Sequence, residues 1–173
     1  MVNGAGAEML NLAVGDVVVY GAHGAGTVAA REMRSVNGAE QAVVVIALAG
    51  SLSVQLPLAL AREQLRALVD EAGIATIGEV LRESPPVSDV SWLKRRREAE
   101  AKLGDAIGLA EVVRDGSVRD AAPTRGSGSR LAPSERELVR RARALLTAEL
   151  ALARDVAIGD AEAWVERQLA LSV

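Results

Sequence analysis

The chain has 173 residues and a formal net charge of −3, and its aromatic residues are limited to Tyr20, Trp92 and Trp164. This length suits one domain or two small ones, with a core built from aliphatic side chains. The acidic balance excludes a globally basic nucleic-acid coat, so any nucleic-acid contact has to be local. The absence of Cys and the single His exclude disulfides, thiolate metal sites and His-rich metal sites. We expect no metal and no cofactor.

The N-terminal part has the pattern of a β module. Residues 1–11 are predicted to be a disordered lead-in, because this segment is rich in Gly and Ala. Apolar runs predict strands over 17–20, 27–34, 41–48 and 52–56. Asn37-Gly38 predicts a hairpin between the second and third strands, since both turn positions favour positive φ. Four or five short antiparallel strands predict a small barrel-like module over residues 12–60.

After Pro57 the apolar residues take helical spacing. This spacing predicts helices over 74–82, 92–103, 106–113, 133–153 and 160–171. Residues 115–130 are rich in Gly, Ser and Pro, and Gly126-Ser-Gly-Ser129 within them is predicted to be a flexible loop. Ser88 or Asp89 is expected to cap the second helix, and Pro133 to open the fourth. The predicted fold class is α+β, with a compact all-helical domain over residues 61–173.

The segment Gly21-Ala22-His23-Gly24-Ala25-Gly26 has the glycines of a phosphate-binding loop. A dinucleotide fingerprint needs a helix after these glycines, and here Thr27-Val28 continues as a strand. The segment is therefore predicted to be a Gly-rich turn with His23 as a turn or packing residue. Neither a catalytic triad nor metal-ligand spacing of acidic residues is present, so we expect no enzymatic activity.

The basic residues fall into two clusters. Trp92 stands at a predicted helix start and is followed by Lys94-Arg95-Arg96-Arg97, while Arg136, Arg140 and Arg143 share one face of a later helix. A cationic helix can hold a phosphate backbone while an apolar ring wedges at a base step. In the alternative interpretation, Trp92 fastens the helix start to the core and the cations form a solvated face. The residues alone leave both interpretations open.

Several short motifs carry a resemblance to a known family. The motifs of the N-terminal part are Val14-Gly15-Asp16-Val17-Val18-Val19-Tyr20, His23-Gly24, Arg31-Glu32, Gly38 and Leu56-Pro57. They resemble the RNA-polymerase-interacting domain of the CarD/CdnL family. This domain is a Tudor-like module shared with transcription-repair coupling factors. The helical part resembles the same family, since its motifs follow the order of that family. These motifs are Trp92 with Lys94-Arg95, then Lys102-Leu103-Gly104-Asp105, then the segments around 110–115, 131–136 and 149–153. Helicase motifs of a coupling factor are absent.

The resemblance implies a non-enzymatic regulator of bacterial transcription initiation. The β module would bind the RNA polymerase β subunit, with Arg34 and Gln55 on the binding face, although some relatives place Arg where Gln55 stands. The helical domain would contact promoter DNA weakly at the upstream edge of the melted bubble. There Trp92 matches the residue that wedges into the minor groove, and the matching basic positions are Lys94, Arg95, Arg97 and Arg136.

We expect a cytoplasmic monomer that associates with the nucleoid through RNA polymerase and does not contact a membrane, since no apolar stretch resembles a transmembrane helix. The alternative function is a protein-interaction adaptor that binds RNA polymerase or another partner without contacting DNA.

Overall fold

We describe a computed structural model over residues 10–86, 90–121 and 131–172, apart from the side chain of Trp92. The chain divides into two compact units between Leu68 and Val69. An antiparallel five-stranded sheet occupies the first unit, and the described part of the second is helical, so the predicted α+β class is confirmed. No helix within the described ranges is both long and apolar enough to cross a membrane.

The first unit is built on one antiparallel sheet with the strand order β4-β3-β2-β1-β5. Its elements are β1 (Val17–Tyr20), β2 (Ala25–Val36), β3 (Ala39–Leu48), β4 (Ser53–Pro57), helix α1 (Leu58–Gln64) and β5 (Leu65–Arg66). Sequence analysis predicted the first four strands but missed α1 and β5. Helix α1 joins the two edge strands β4 and β5 and contacts both of them as well as β3. The core of this unit is aliphatic and includes Leu12, Val28, Val44, Ile46 and Leu56.

Two predicted turns of the first unit are confirmed. Asn37 and Gly38 join β2 to β3 with φ angles of 53° and 80°, as the hairpin pattern requires. Residues Gly21–His23 form a short 3-10 turn between β1 and β2, and no helix follows it. The ring of His23 stacks on that of Tyr20 with 4.9 Å between centroids, so His23 packs within the turn.

The second unit contains five helices in the described residues, namely α2 (Glu71–Arg82), α3 (Trp92–Lys102), α4 (Ala106–Ala121), α5 (Pro133–Arg154) and α6 (Ile158–Ala170). Pro133 opens α5 as predicted. Helix α2 begins earlier than predicted because the side chain of Asp70 accepts a 2.8 Å hydrogen bond from the Gly73 N–H. The core combines residues of α2, α4, α5 and α6, including Ile77, Leu81, Leu109, Val113, Leu146, Leu150 and Val165.

The predicted end of the third helix at residue 113 was wrong, because α4 continues to Ala121. Gly116, in the stretch rich in Gly, Ser and Pro, is buried inside α4. A Cβ atom at Gly116 would lie 2.4 Å from Cγ2 of Val139, so this glycine allows α4 and α5 to approach closely. The predicted flexible loop, Gly126-Ser-Gly-Ser129, lies outside the described residues.

The cap position of α3 differs from the prediction, although the helix begins at Trp92 as expected. Ser88 and Asp89, the predicted capping residues, lie outside the described residues. The residue at the cap position is Ser91, whose side chain makes no capping hydrogen bond. Helix α3 therefore begins at Trp92 without the side-chain cap that usually stabilises a helix start.

Candidate functional site

One candidate surface lies on the sheet face opposite the core of the first unit. Glu32, Val43 and Pro57 stand opposite one another on β2, β3 and β4, and Gln55 lies opposite Val45. Side chains alternate along a strand, so Glu32, Arg34, Val43 and Gln55 share this outer face.

Arg34 is held in place on this outer face. Its guanidinium donates to Gln55 Oε1 at 2.7 Å, while its Nε donates to Glu32 Oε2 at 2.8 Å. Val43, which is only 5% exposed, lies between the positions of Arg34 and Gln55. The Arg34 side chain thus crosses β3 from β2 to β4. The two residues that the resemblance places on one binding face are in direct contact.

The second candidate surface is the outward side of α3. The Lys94 side chain is 65% exposed, and its ammonium group lies 3.9 Å from Glu98. Arg97 is exposed, and the described residues pair it with no acidic side chain. Leu93, one turn before Arg97, is 50% exposed, and sequence analysis did not select it. Two accessible cations and an exposed apolar side chain therefore share this side of the helix.

Trp92 is the first residue of α3. Its side chain lies outside the described part of the structure, so its predicted role as a wedge stays a prediction. The proposed wedge would act beside the outward side of α3, which carries Leu93, Lys94 and Arg97.

The third predicted cation of this helix, Arg95, has different surroundings. Its guanidinium donates a hydrogen bond to the backbone carbonyl of Val90, and its Nε is buried without an acceptor. Arg95 also lines a cleft of about 480 Å³ to which Arg119 of α4 and Glu135 of α5 contribute. The side chain of Arg95 is thus directed toward the neighbouring helices.

The cations of α5 divide into exposed and paired side chains. Arg136 is exposed, and the described residues give its side chain no acidic partner. Arg140 makes a two-bond ion pair with Glu137, at 2.9 and 2.6 Å. Arg143 pairs with Glu166 of α6 and donates to the Ser117 hydroxyl at 3.0 Å. The shared helical face predicted from the spacing therefore offers Arg136 as its accessible unpaired cation within the described residues.

Glu135 connects α5 to its neighbours. Its carboxylate accepts hydrogen bonds from Arg119 at 3.0 Å and from the Ala132 N–H at 3.1 Å, and its side chain is 11% exposed. Burial alone would raise the pKa of Glu135, but the Arg119 and Ala132 hydrogen bonds and the charges of Arg119 and Arg95 together lower it below its ordinary value. The ionised carboxylate is therefore the form that the fold stabilises.

We expect Glu135→Gln to lower the free energy of unfolding by about 1.5–3 kcal/mol at neutral pH, as loss of hydrogen bonds to a charged group does. The pKa of Glu135 is lower in the folded protein than in the unfolded chain. The stabilisation by its ionised carboxylate is therefore fully present above the pKa of the unfolded chain. It is lost as the pH falls through the lower pKa of the folded protein. The difference between the two proteins should therefore shrink from neutral pH toward about pH 3. Urea unfolding across that range measures it.

A constant difference across this pH range would contradict the role of ionised Glu135. Glu137→Gln is the matched control on the same helix, because the pKa of Glu137 is also lowered by a hydrogen bond from Arg140 but its carboxylate is fully exposed. Its effect should be small at every pH, since exposed ion pairs contribute little stability. The other charged side chains around Glu135 stay intact in both variants; those that line its cleft are Arg95, Arg96, Glu98, Lys102, Asp115 and Arg119.

Two family models match the chain. Residues 12–69 match the CarD-like/TRCF RID domain, and residues 76–166 match the C-terminal domain of CarD. The second match alone covers more than half of the chain. The chain belongs to the CarD family. The two CarD domains follow the division of the chain into a sheet unit and a helical unit, and they mark a transcription regulator that interacts with RNA polymerase.

Proposed function

We propose that this CarD-family protein binds the RNA polymerase β subunit and stabilises the promoter open complex by minor-groove contact at the upstream edge of the bubble. The outer face of the β module, with Arg34 and Gln55, provides the contact with polymerase. Helix α3 provides the contact with DNA through Trp92, Lys94 and Arg97, and Arg136 of α5 adds a further cation.

The observation that supports DNA contact most directly is the outward side of α3. Lys94 and Arg97 can reach phosphate oxygens, since both are exposed and the ion pair of Lys94 with Glu98 is long, at 3.9 Å. Half-exposed Leu93 places an apolar group beside them. Minor-groove proteins combine cations with apolar wedges in this way: the polar side chains contact the groove, and the wedge inserts between base steps and unstacks them in part.

The fixed position of the Arg34 side chain supports the proposed polymerase contact. Glu32 and Gln55 hold its guanidinium, so little side-chain freedom remains to be lost when a partner binds. A guanidinium in fixed orientation suits bidentate recognition of a carboxylate. Gln55 thus supports the cation that the partner recognises, at a position where some relatives place a second Arg.

The weak charge of the protein is compatible with this division of roles. A net charge of −3 gives poor affinity for free DNA. Binding to polymerase raises the local concentration of the helical domain to roughly millimolar, so a few contacts suffice. A contact that forms only with unstacked DNA favours the open complex over the closed duplex.

Co-purification with RNA polymerase followed by footprinting at a promoter tests this function. We expect the protein to co-purify with polymerase, to extend protection over the upstream bubble edge, and to prolong the permanganate reactivity of bubble thymines. The matched control is polymerase alone on the same promoter.

The adaptor is the second candidate function, favoured by the ion pairs that engage Arg96, Arg140 and Arg143. Co-purification without any change in protection or thymine reactivity would support the adaptor and contradict DNA contact.

A further inference from the structure

Among its described side chains, helix α3 has neither the buried residues nor the cap that normally fix the position of a helix. None of its residues from Leu93 to Lys102 is fully buried, and no side chain caps its start. Its first turn carries cations and no acid, which opposes the positive end of the helix dipole. A helix of this kind depends on tertiary contacts with its neighbours.

Two such contacts hold α3 at opposite ends. Near its C-terminus, Lys102 forms a 2.6 Å ion pair with Glu111 of α4. Near its start, Arg95 donates to the Val90 carbonyl and enters the cleft that Arg119 and Glu135 also line. The charge of Arg95 acts on the carboxylate of Glu135 within this cleft.

Glu135 lines the same cleft as Arg95 of α3. It accepts a hydrogen bond from the Ala132 N–H at the start of its own helix, and it pairs with Arg119 of α4. Arg95 differs from its neighbours Lys94 and Arg97, which are exposed on the other side of the helix.

From this geometry we infer that Arg95 is a positioning residue: together with Glu135 it holds α3 so that Lys94 and Arg97 face DNA, and it makes no phosphate contact itself. This inference rests on the proposed DNA contact of α3 and assigns a different task to one cation of the basic run. Without the attraction between Arg95 and Glu135 across this cleft, α3 would adopt its DNA-binding position in only a fraction of the molecules. The apparent affinity then falls in proportion to that fraction.

The salt dependence of DNA binding separates a positioning residue from a contact residue. Each phosphate contact contributes a slope of about −0.9 to the dependence of log K on log salt concentration for duplex DNA. A contact variant therefore loses affinity and reduces the slope. A positioning variant loses affinity at an unchanged slope, because its bound state keeps every phosphate contact.

The experiment titrates the full-length protein with a fluorescent duplex carrying a short unpaired segment, at several potassium chloride concentrations. We expect Arg95→Met to weaken binding about threefold to tenfold with the slope of the wild-type protein. Arg97→Met is the matched control, with the same change in charge, and its slope should be smaller in magnitude by about 0.9.

A reduced slope for Arg95→Met, or wild-type affinity, would overturn the positioning role. Glu135→Gln provides a second test should Arg95→Met fail to fold: it should weaken binding at an unchanged slope, and wild-type affinity would again overturn the inference. Where both variants fold, the double variant should bind about as weakly as either single variant, because both remove the same attraction. An unchanged slope for Arg97→Met would instead count against DNA contact by α3, which is the proposed function.

Discussion

Replacing Trp92 with alanine is expected to shorten the lifetime of the promoter open complex about tenfold, which corresponds to about 1.4 kcal/mol. The indole is proposed to fill a gap between base steps that exists only where the strands have separated. Loss of the ring therefore destabilises the open complex and leaves the closed complex unaffected. Competitor-challenge measurements of complex lifetime, with and without the protein, give the effect directly.

Two control variants make this result specific. Trp92→Phe keeps an aromatic ring and should recover most of the lifetime. Leu171→Ala removes another apolar side chain of the same unit, one that is 60% exposed, and should behave like the wild-type protein. Binding of Trp92→Ala to polymerase should be unchanged. An unaltered lifetime for Trp92→Ala would remove the wedge from the mechanism.

Replacing Arg34 with glutamate is expected to weaken binding to the polymerase β subunit at least tenfold, or by about 1.4 kcal/mol or more. The substitution removes the guanidinium that Glu32 and Gln55 hold and places two carboxylates on the same strand face. Repulsion between these carboxylates, and with an acidic partner surface, adds to the loss. A pull-down of the β subunit followed by calorimetry measures the change.

Arg62→Glu is the matched control for the polymerase contact. Arg62 is an exposed cation of α1, the helix whose Ala61 packs into the core on the other side of the sheet. The charge change is the same as in Arg34→Glu, so any general electrostatic effect on binding appears in both variants. Equal binding by wild-type protein and Arg34→Glu would rule out the outer face as the polymerase contact.

Local patterns were sufficient to predict much of the fold. Asn37-Gly38 predicted the hairpin because few residue pairs accept positive φ at both positions, and Pro133 predicted the start of α5 because it lacks an N–H that the first turn does not need. These signals depend on the conformational preferences of one or two residues. These preferences do not depend on which residues pack against the turn or the helix.

Elements that depend on distant partners could not be predicted in this way. Strand β5 has two residues, Leu65 and Arg66, and it exists because it pairs with β1. The last part of α4 was not predicted as helix, since a glycine such as Gly116 weakens a helix in isolation. The close approach of Val139 that this glycine permits is visible only once α4 and α5 are packed together.

The sequence alone determined the α+β division, the cationic run after Trp92 and the resemblance to the CarD family, since these follow from the order of residues along the chain. Only the tertiary structure decided which cations are available to a partner. Arg143 is paired with Glu166, Arg34 is held by Gln55, and Arg95 lines the cleft that Glu135 also lines. Helical spacing shows which side chains share a face, but the free energy of a charge depends on the groups that folding places around it.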